Sequence, residues 1–224
     1  MRALVMIMAL SIPATALAQD ADRTVKDGGI KAAGWTGRVD RRPLAAGKTI
    51  GDSKVVLEGS ALRLSVGPAA SYWNPANTAS GDYQVKASFK EHKMAASHPH
   101  SYGVFIGGSG LDSDTERLMY CIVYGNGTYS VKTFNGAKPV ATLVDRAAHD
   151  ALKKADANGE STNEVGWKVQ GNKVSCVVNG TEVKSFDKAE VVGADKLAST
   201  DGIYGIRVSH NLELTVSGLA KSKP

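Results

Sequence analysis

In the stretch HPHSYGVFIGG, His98 and His100 flank Pro99. Residues two apart on extended chain face the same way, and Pro99 favours extension, so both imidazoles can reach one ion or one proton-transfer site. A zinc centre needs at least one further ligand. Neither HExxH nor a Cys/His quartet is present, although His92, His149 and His210 lie elsewhere in the chain. The plainer reading is a polar loop, HKMAASHPHS, entering a strand in which Tyr102, Val104 and Ile106 alternate with Gly103, Phe105 and Gly107. A second set, Asp112, Asp114 and Glu116 in GLDSDTER, also alternates. Three acids on one side of an extended segment suit Ca²⁺, which takes six to eight oxygen ligands. With His100 they form the polar cluster open to acid–base catalysis, and the plainer reading is a solvated acidic loop.

Aromatic residues offer a different chemistry. Sugars stack their C–H faces on aromatic rings while amides and charged groups hydrogen-bond the hydroxyls. SYWNPAN places Trp73 and Asn74 among turn-forming residues, which reads as a loop. In RLMYCIVYG, Tyr120 and Tyr124 share a strand face with Ile122 between them, and Met119, Cys121 and Val123 take the other. Trp73, Tyr120 and Tyr124, with Asn74, His98, His100 and Arg117 at the rim, are the candidate ligand-binding set.

The chain must position these groups outside the cytoplasm. Arg2, the apolar run Ala3 to Ile12 and the ALA at 16–18 have the layout of a secretory signal peptide,. Residues 1–18 are therefore expected to be the signal and 19–34 a flexible leader. The expected localisation is periplasmic or extracellular, with no membrane span. The 224 residues carry a formal net charge of +5 without a basic, aromatic-studded stripe, which argues against nucleic acid as a partner,. An oxidising compartment permits a disulfide between Cys121 and Cys176; two buried free thiols are the alternative.

From Trp35 onward the dominant pattern is period-two alternation broken by turn dipeptides, with Asn-Gly at 126, 135 and 179,. Strands are expected at 53–58, 61–66, 82–90, 101–107, 116–124, 128–134, 139–143, 163–169, 173–178, 181–186, 203–208 and 212–217. One short helix is expected within Asp145 to Ala157, on the apolar stripe of Ala148, Leu152 and Ala155. Twelve short strands without a linker or repeat describe a single all-β domain, 35–219, with a polar tail at 220–224.

VGWKVQGNKVSCVVNGTEVKSF followed by GIYGIRVSHNLELTVSGL resembles the closing half of a concanavalin A-like or laminin G-like jelly roll, a sandwich of two antiparallel sheets. DYQVKASFK, HSYGVFIGG and YCIVYGNGTYSVKTFNG match its middle strands. Within that superfamily the chain most resembles an exported domain-of-unknown-function family associated with 3-keto-disaccharide hydrolysis. The resemblance implies a carbohydrate or glycoside partner and a glycoside hydrolase as one activity. Family members typically carry an acid in the central strand, whereas this chain has no carboxylate between Arg117 and Gly125. That departure makes non-catalytic carbohydrate binding the leading expectation, with a cell-envelope interaction domain as a third.

Overall fold

The computed structural model describes residues 20–94 and 98–224. The expected signal peptide and part of the expected HKMAASHPHS loop lie outside the described residues. The strands are β1 (Gly29–Ile30), β2 (Thr36–Val39), β3 (Lys54–Glu58), β4 (Ala61–Ser65), β5 (Ala70–Ala79), β6 (Tyr83–Glu91), β7 (Ser101–Ser109), β8 (Arg117–Tyr124), β9 (Thr128–Asn135), β10 (Ala141–Ala148), β11 (Ser161–Gln170), β12 (Lys173–Val178), β13 (Thr181–Asp187), β14 (Gly202–Val208) and β15 (Glu213–Ser222). Two short helices, α1 (Arg41–Ala45) and α2 (Lys188–Val191), interrupt them.

The strands form two sheets, ordered β1-β3-β4-β15-β6-β11-β12-β13 and β10-β9-β8-β7-β14-β5-β2. All pairings are antiparallel except β1 with β3. This is the expected jelly-roll-like sandwich. Alternation along β6 buries Tyr83, Val85, Ala87 and Phe89 between the sheets, opposite Tyr102, Val104 and Ile106 of β7. Polar groups inside the sandwich are used to join its halves. Trp167 Nε1 donates to the Val104 carbonyl at 2.9 Å, Tyr129 Oη to the Val183 carbonyl at 2.9 Å, and the Phe89 and Tyr102 rings stack at 5.4 Å. Cys121 of β8 and Cys176 of β12 form a disulfide between the sheets, with Cα atoms 6.0 Å apart, within the range a bridge requires,.

Two expectations about local structure are corrected. Residues 145–157 do not form a helix: Ala141–Ala148 is strand β10, paired with β9 through two register shifts. Its Ala and Val residues are compatible with either state, and the open edge of β9 supplies backbone partners that a thin helical stripe could not replace. Trp73 lies within β5 rather than in a loop. The sequence NPAN reads as a turn because it is one locally. The pairing of β5 with β14 jumps from Trp73↔Gly205 to Thr78↔Ile203, so Asn74–Asn77 bulge out, and Asn74 Oδ1 accepts from the Ala76 amide at 3.0 Å,. Pro75 is tolerated because β2 pairs with β5 only as far as Trp73,.

The segment 20–34 packs on the sandwich. The Arg23 guanidinium donates to the carbonyls of Val66 and Leu212 and pairs with Glu213 at 2.6 Å, while Asn211 exchanges hydrogen bonds with the backbone of Ala21 and Arg23. Among the described residues, no helix is long and apolar enough to cross a membrane.

Candidate functional site

The outer face of the seven-stranded sheet carries a second apolar cluster, separate from the core between the sheets. It contains Trp73, Phe105, Leu111, Leu118, Tyr120, Ile122 and Phe134. Sheet register explains the grouping. One row across the sheet reads Lys132, Tyr120, Phe105, Gly205, Trp73, Thr36; the next reads Ser130, Ile122, Gly103, Arg207, Ser71, Arg38. Gly205 is required in the first row, because a Cβ there would come 2.3 Å from the Tyr72 carbonyl oxygen and 2.6 Å from the Phe105 ring. The two rows thus place Arg207 beside an aromatic floor, with Lys132 and Arg38 at the row ends.

Arg207 is only 6% exposed. Its two terminal nitrogens each lie 2.5 Å from an oxygen of Asp40, a bidentate pair, and its guanidinium carbon sits 5.1 Å from the Tyr120 ring centre and 5.0 Å from that of Phe134. Burial disfavours the guanidinium charge, but the Asp40 carboxylate outweighs it and holds the Arg207 pKa above its usual value,. Burial also pushes the Tyr120 phenol up to about 12, so it remains a neutral hydroxyl.

Above this floor opens a cavity of about 420 Å³, a volume typical of small-molecule sites,. Tyr120, Ile122 and Tyr124 of β8, Lys132 of β9, Ser101 of β7 and Arg207 with Ser209 from β14 and its exit line it. Asp40 and Arg42 at the start of α1 form one wall; Asp20, Asp22 and His210 form another. One face of Tyr124 is covered: β10 bulges at Arg146, whose φ is 44°, and its guanidinium lies over the Tyr124 ring, 4.4 Å from the ring centre. His210 Nδ1 is 2.8 Å from Asp22 Oδ1, and the His100 ring meets His210 edge-on at 4.4 Å. Burial, then His210, lowers the His100 pKa to about 4, so His100 is neutral at pH 7.

A second cavity, about 230 Å³, lies on the other side of Asp40 and Arg42, which line both. Arg41, Glu116, Phe134, Lys138, Pro139 and Val140 complete it. Burial raises the Glu116 pKa, against the opposing pull of Arg38 at 3.3 Å.

The sequence-derived candidates separate. Tyr120 and Tyr124 line the main cavity, and His100 packs behind His210. Trp73 is 5% exposed inside the outer-face cluster and lines neither cavity. Asn74 belongs to the β5 bulge, Arg117 donates to the Lys196 carbonyl at 2.7 Å, and half-buried His98 is outside the lining. The three acids are parted by Arg38: Asp114 pairs with it from the exposed side, Glu116 from the buried side, and Asp112 is exposed. Among the described residues no group of three or more His, Cys, Asp or Glu side chains is arranged to hold a metal. The floor and walls contain residues that sequence reasoning missed, namely Asp40, Arg42, Ser101, Lys132, Arg207, Ser209, His210, Asp20 and Asp22. The available signal was Arg207 and Ser209, two apart in the otherwise apolar GIYGIRVSH.

The sequence matches no protein-family profile and no curated protein. Solved structures with a similar fold include the carbohydrate-binding module CBM66 from Bacillus subtilis, at TM-score 0.56 and 10% identity over 88% of this chain and 99% of that one. A Bacillus subtilis protein of unknown function with a galectin-like fold aligns at TM-score 0.57 and 14% identity, covering 84% of this chain and 89% of that one. The exoplasmic/lumenal domain of VIP36, in its Ca²⁺/Man3GlcNAc-bound form, aligns at TM-score 0.51 and 10% identity over 85% of this chain and 84% of that one. At such identities the likeness is one of fold: the chain has a jelly-roll-like sandwich fold.

Proposed function

We propose that this is an exported carbohydrate-binding protein whose site is the main cavity on the outer face of the seven-stranded sheet. The observation that carries the reading is the combination of Tyr120 and Tyr124 with the clamped Asp40–Arg207 pair in one cavity. A sugar ring needs an apolar surface for its C–H face and fixed polar groups for its hydroxyls. The edges of Tyr120, Ile122 and Tyr124 that line the cavity supply the first; Ser101, Ser209, Lys132 and the edge of the carboxylate–guanidinium pair supply the second. The lining carries both acids (Asp20, Asp22, Asp40) and bases (Arg42, Lys132, Arg207), which suits many neutral hydroxyls better than a single strong charge would. Folds of this kind in CBM66 and VIP36 belong to proteins described as a carbohydrate-binding module and as a Man3GlcNAc-bound domain, which agrees with the reading.

Calorimetric titration against a panel of mono- and oligosaccharides tests it. Saturable binding is expected, weakened about tenfold or more by Tyr124→Ala, which also lowers the melting temperature because Tyr124 is buried, and weakened by Lys132→Ala, at a half-buried wall residue, with little change in melting temperature,. Silence across the panel would refute the reading.

A second reading, glycoside hydrolysis on 3-keto or other modified sugars, is favoured by one observation. Glu116 is a buried carboxyl with a raised pKa, and it shares the second cavity with Asp40. A general acid at a glycosidic bond needs such a carboxyl. Product formation from 3-keto-glycosides, abolished by Glu116→Gln in a folded protein, would establish it; unchanged turnover in that variant would remove Glu116 from the chemistry.

A further inference from the structure

The two cavities adjoin but offer different chemistry, and the difference specifies the ligand more closely. We propose, resting on the carbohydrate reading above, that the ligand is a glycoside bearing an apolar, ring-sized aglycone: its sugar fills the main cavity and its aglycone the second.

The shared residues Asp40 and Arg42 set the two spaces side by side at the start of α1, so one ligand reaching past these side chains would touch both. In the second cavity most polar groups are already committed within the protein. Asp40 is bidentate with Arg207, and Glu116 pairs with Arg38 at 3.3 Å. Lys138 Nζ pairs with Asp195 at 2.7 Å, and the terminal nitrogens of Arg41 donate to the carbonyls of Gly136, Asp114 and Lys138. Phe134, Pro139 and Val140 provide apolar lining, and Val140 is 46% exposed although it is a large aliphatic residue. A second sugar ring placed here would surrender several hydroxyl–water hydrogen bonds. The identifiable buried donor without a partner is Arg41 Nε, which serves a single acceptor. Leaving the remaining hydroxyls unpaired is costly, whereas an apolar ring gains from covering Phe134, Pro139 and Val140. About 230 Å³ suits one such substituent rather than an extended chain.

The experiment compares matched methyl and phenyl glycosides of glucose, galactose, mannose and xylose, in both anomers, with the corresponding disaccharides. The purified protein and its Val140→Asp and Val140→Ala variants are titrated by calorimetry. The preferred sugar is expected to bind about tenfold more tightly as the phenyl than as the methyl glycoside, equivalent to about 1.4 kcal/mol. Val140→Asp should erase that advantage and Val140→Ala reduce it, both leaving methyl-glycoside affinity unchanged. Methyl and phenyl glycosides binding equally, disaccharides outranking phenyl glycosides, or a phenyl advantage surviving Val140→Asp would each overturn the proposal while leaving the carbohydrate site standing. Absence of binding by every glycoside would overturn the carbohydrate reading and this proposal with it.

Discussion

Replacing Asp40 by asparagine tests whether the cavity floor is built as described. Arg207 is almost wholly buried, and its charge is compensated by the two Asp40 oxygens at 2.5 Å each, with Tyr120 and Phe134 rings about 5 Å away. Asp40→Asn keeps the shape but leaves a guanidinium in a site built for an ion pair. Removing one partner of a buried pair costs about 3–5 kcal/mol. The Asp40 side chain retains 25% of its exposure, so water partly screens the loss and the lower end, about 3 kcal/mol, is expected. For a chain of this size that is a drop of about 6–12 °C in melting temperature. Urea unfolding at pH 7 measures it directly. The double variant Asp40→Ala/Arg207→Met, which removes both charges, should recover to within about 1 kcal/mol of the parent, since apolar replacement of a buried pair is often neutral. It should nevertheless fail to bind saccharide, separating the role of the pair in folding from its role in the site. A loss below about 1 kcal/mol for Asp40→Asn, or a double variant less stable than the single one, would refute the reasoning.

Three further outcomes are expected. Trp73→Ala should cost about 3–5 kcal/mol, the range for emptying a buried aromatic site, as measured by urea unfolding; a cost below 1 kcal/mol would show that Trp73 is not packed as described. Replacing both Cys121 and Cys176 by alanine should lower stability by about 4 kcal/mol, because their bridge closes a chain separation of 55 residues in the unfolded state,. Unchanged unfolding midpoints would mean that the bridge constrains nothing. Glu91 is fully buried, with Oε1 unpartnered, and burial pushes its pKa up to about 7 against the opposing Ser161 hydroxyl. Below about pH 4.5 it is protonated in both the folded and unfolded states. From there to about pH 7 the unfolded chain ionises first, so stability falls through that window and the full penalty, about 3 kcal/mol, applies above it,. Glu91→Gln should flatten that part of the stability–pH curve; identical slopes for parent and variant would refute the assignment.

The sandwich was legible because burial on one strand face leaves a period-two mark. Tyr83, Val85, Ala87 and Phe89 alternate with polar residues, and all four are buried. The Asn179–Gly180 turn was equally plain: both residues adopt positive φ, 49° and 82°, as a two-residue type I′ hairpin requires,. Where alternation fails, so did the reading. β5 carries Pro75 and a bulge, and β10 is an alanine-containing edge strand with two register shifts, so neither leaves a clean period. The site was half legible for the same reason. Tyr120 and Tyr124 could be placed on one face from β8 alone. Lys132, Arg207 and Asp40 join them only through register across the sheet and a clamp spanning 167 residues, which no single segment encodes. The acids of GLDSDTER alternate in sequence but do not converge, because two of them, Asp114 and Glu116, pair with Arg38 from a distant strand while Asp112 is exposed. His98 and His100 precede strand β7 as the plainer reading had it, and the histidine that lines the cavity, His210, comes from a distant segment.

Carbohydrate is expected to bind on the outer face of the seven-stranded sheet. Amide shift mapping during titration with the tightest-binding glycoside tests it most directly. Saturable shifts are expected, concentrated at Ser101, Tyr120, Ile122, Tyr124, Lys132 and Ser209, with the affinity lowered in Tyr124→Ala. Saturable shifts confined to the outer face of the eight-stranded sheet, around Lys86, Glu164 and Lys168, would contradict it.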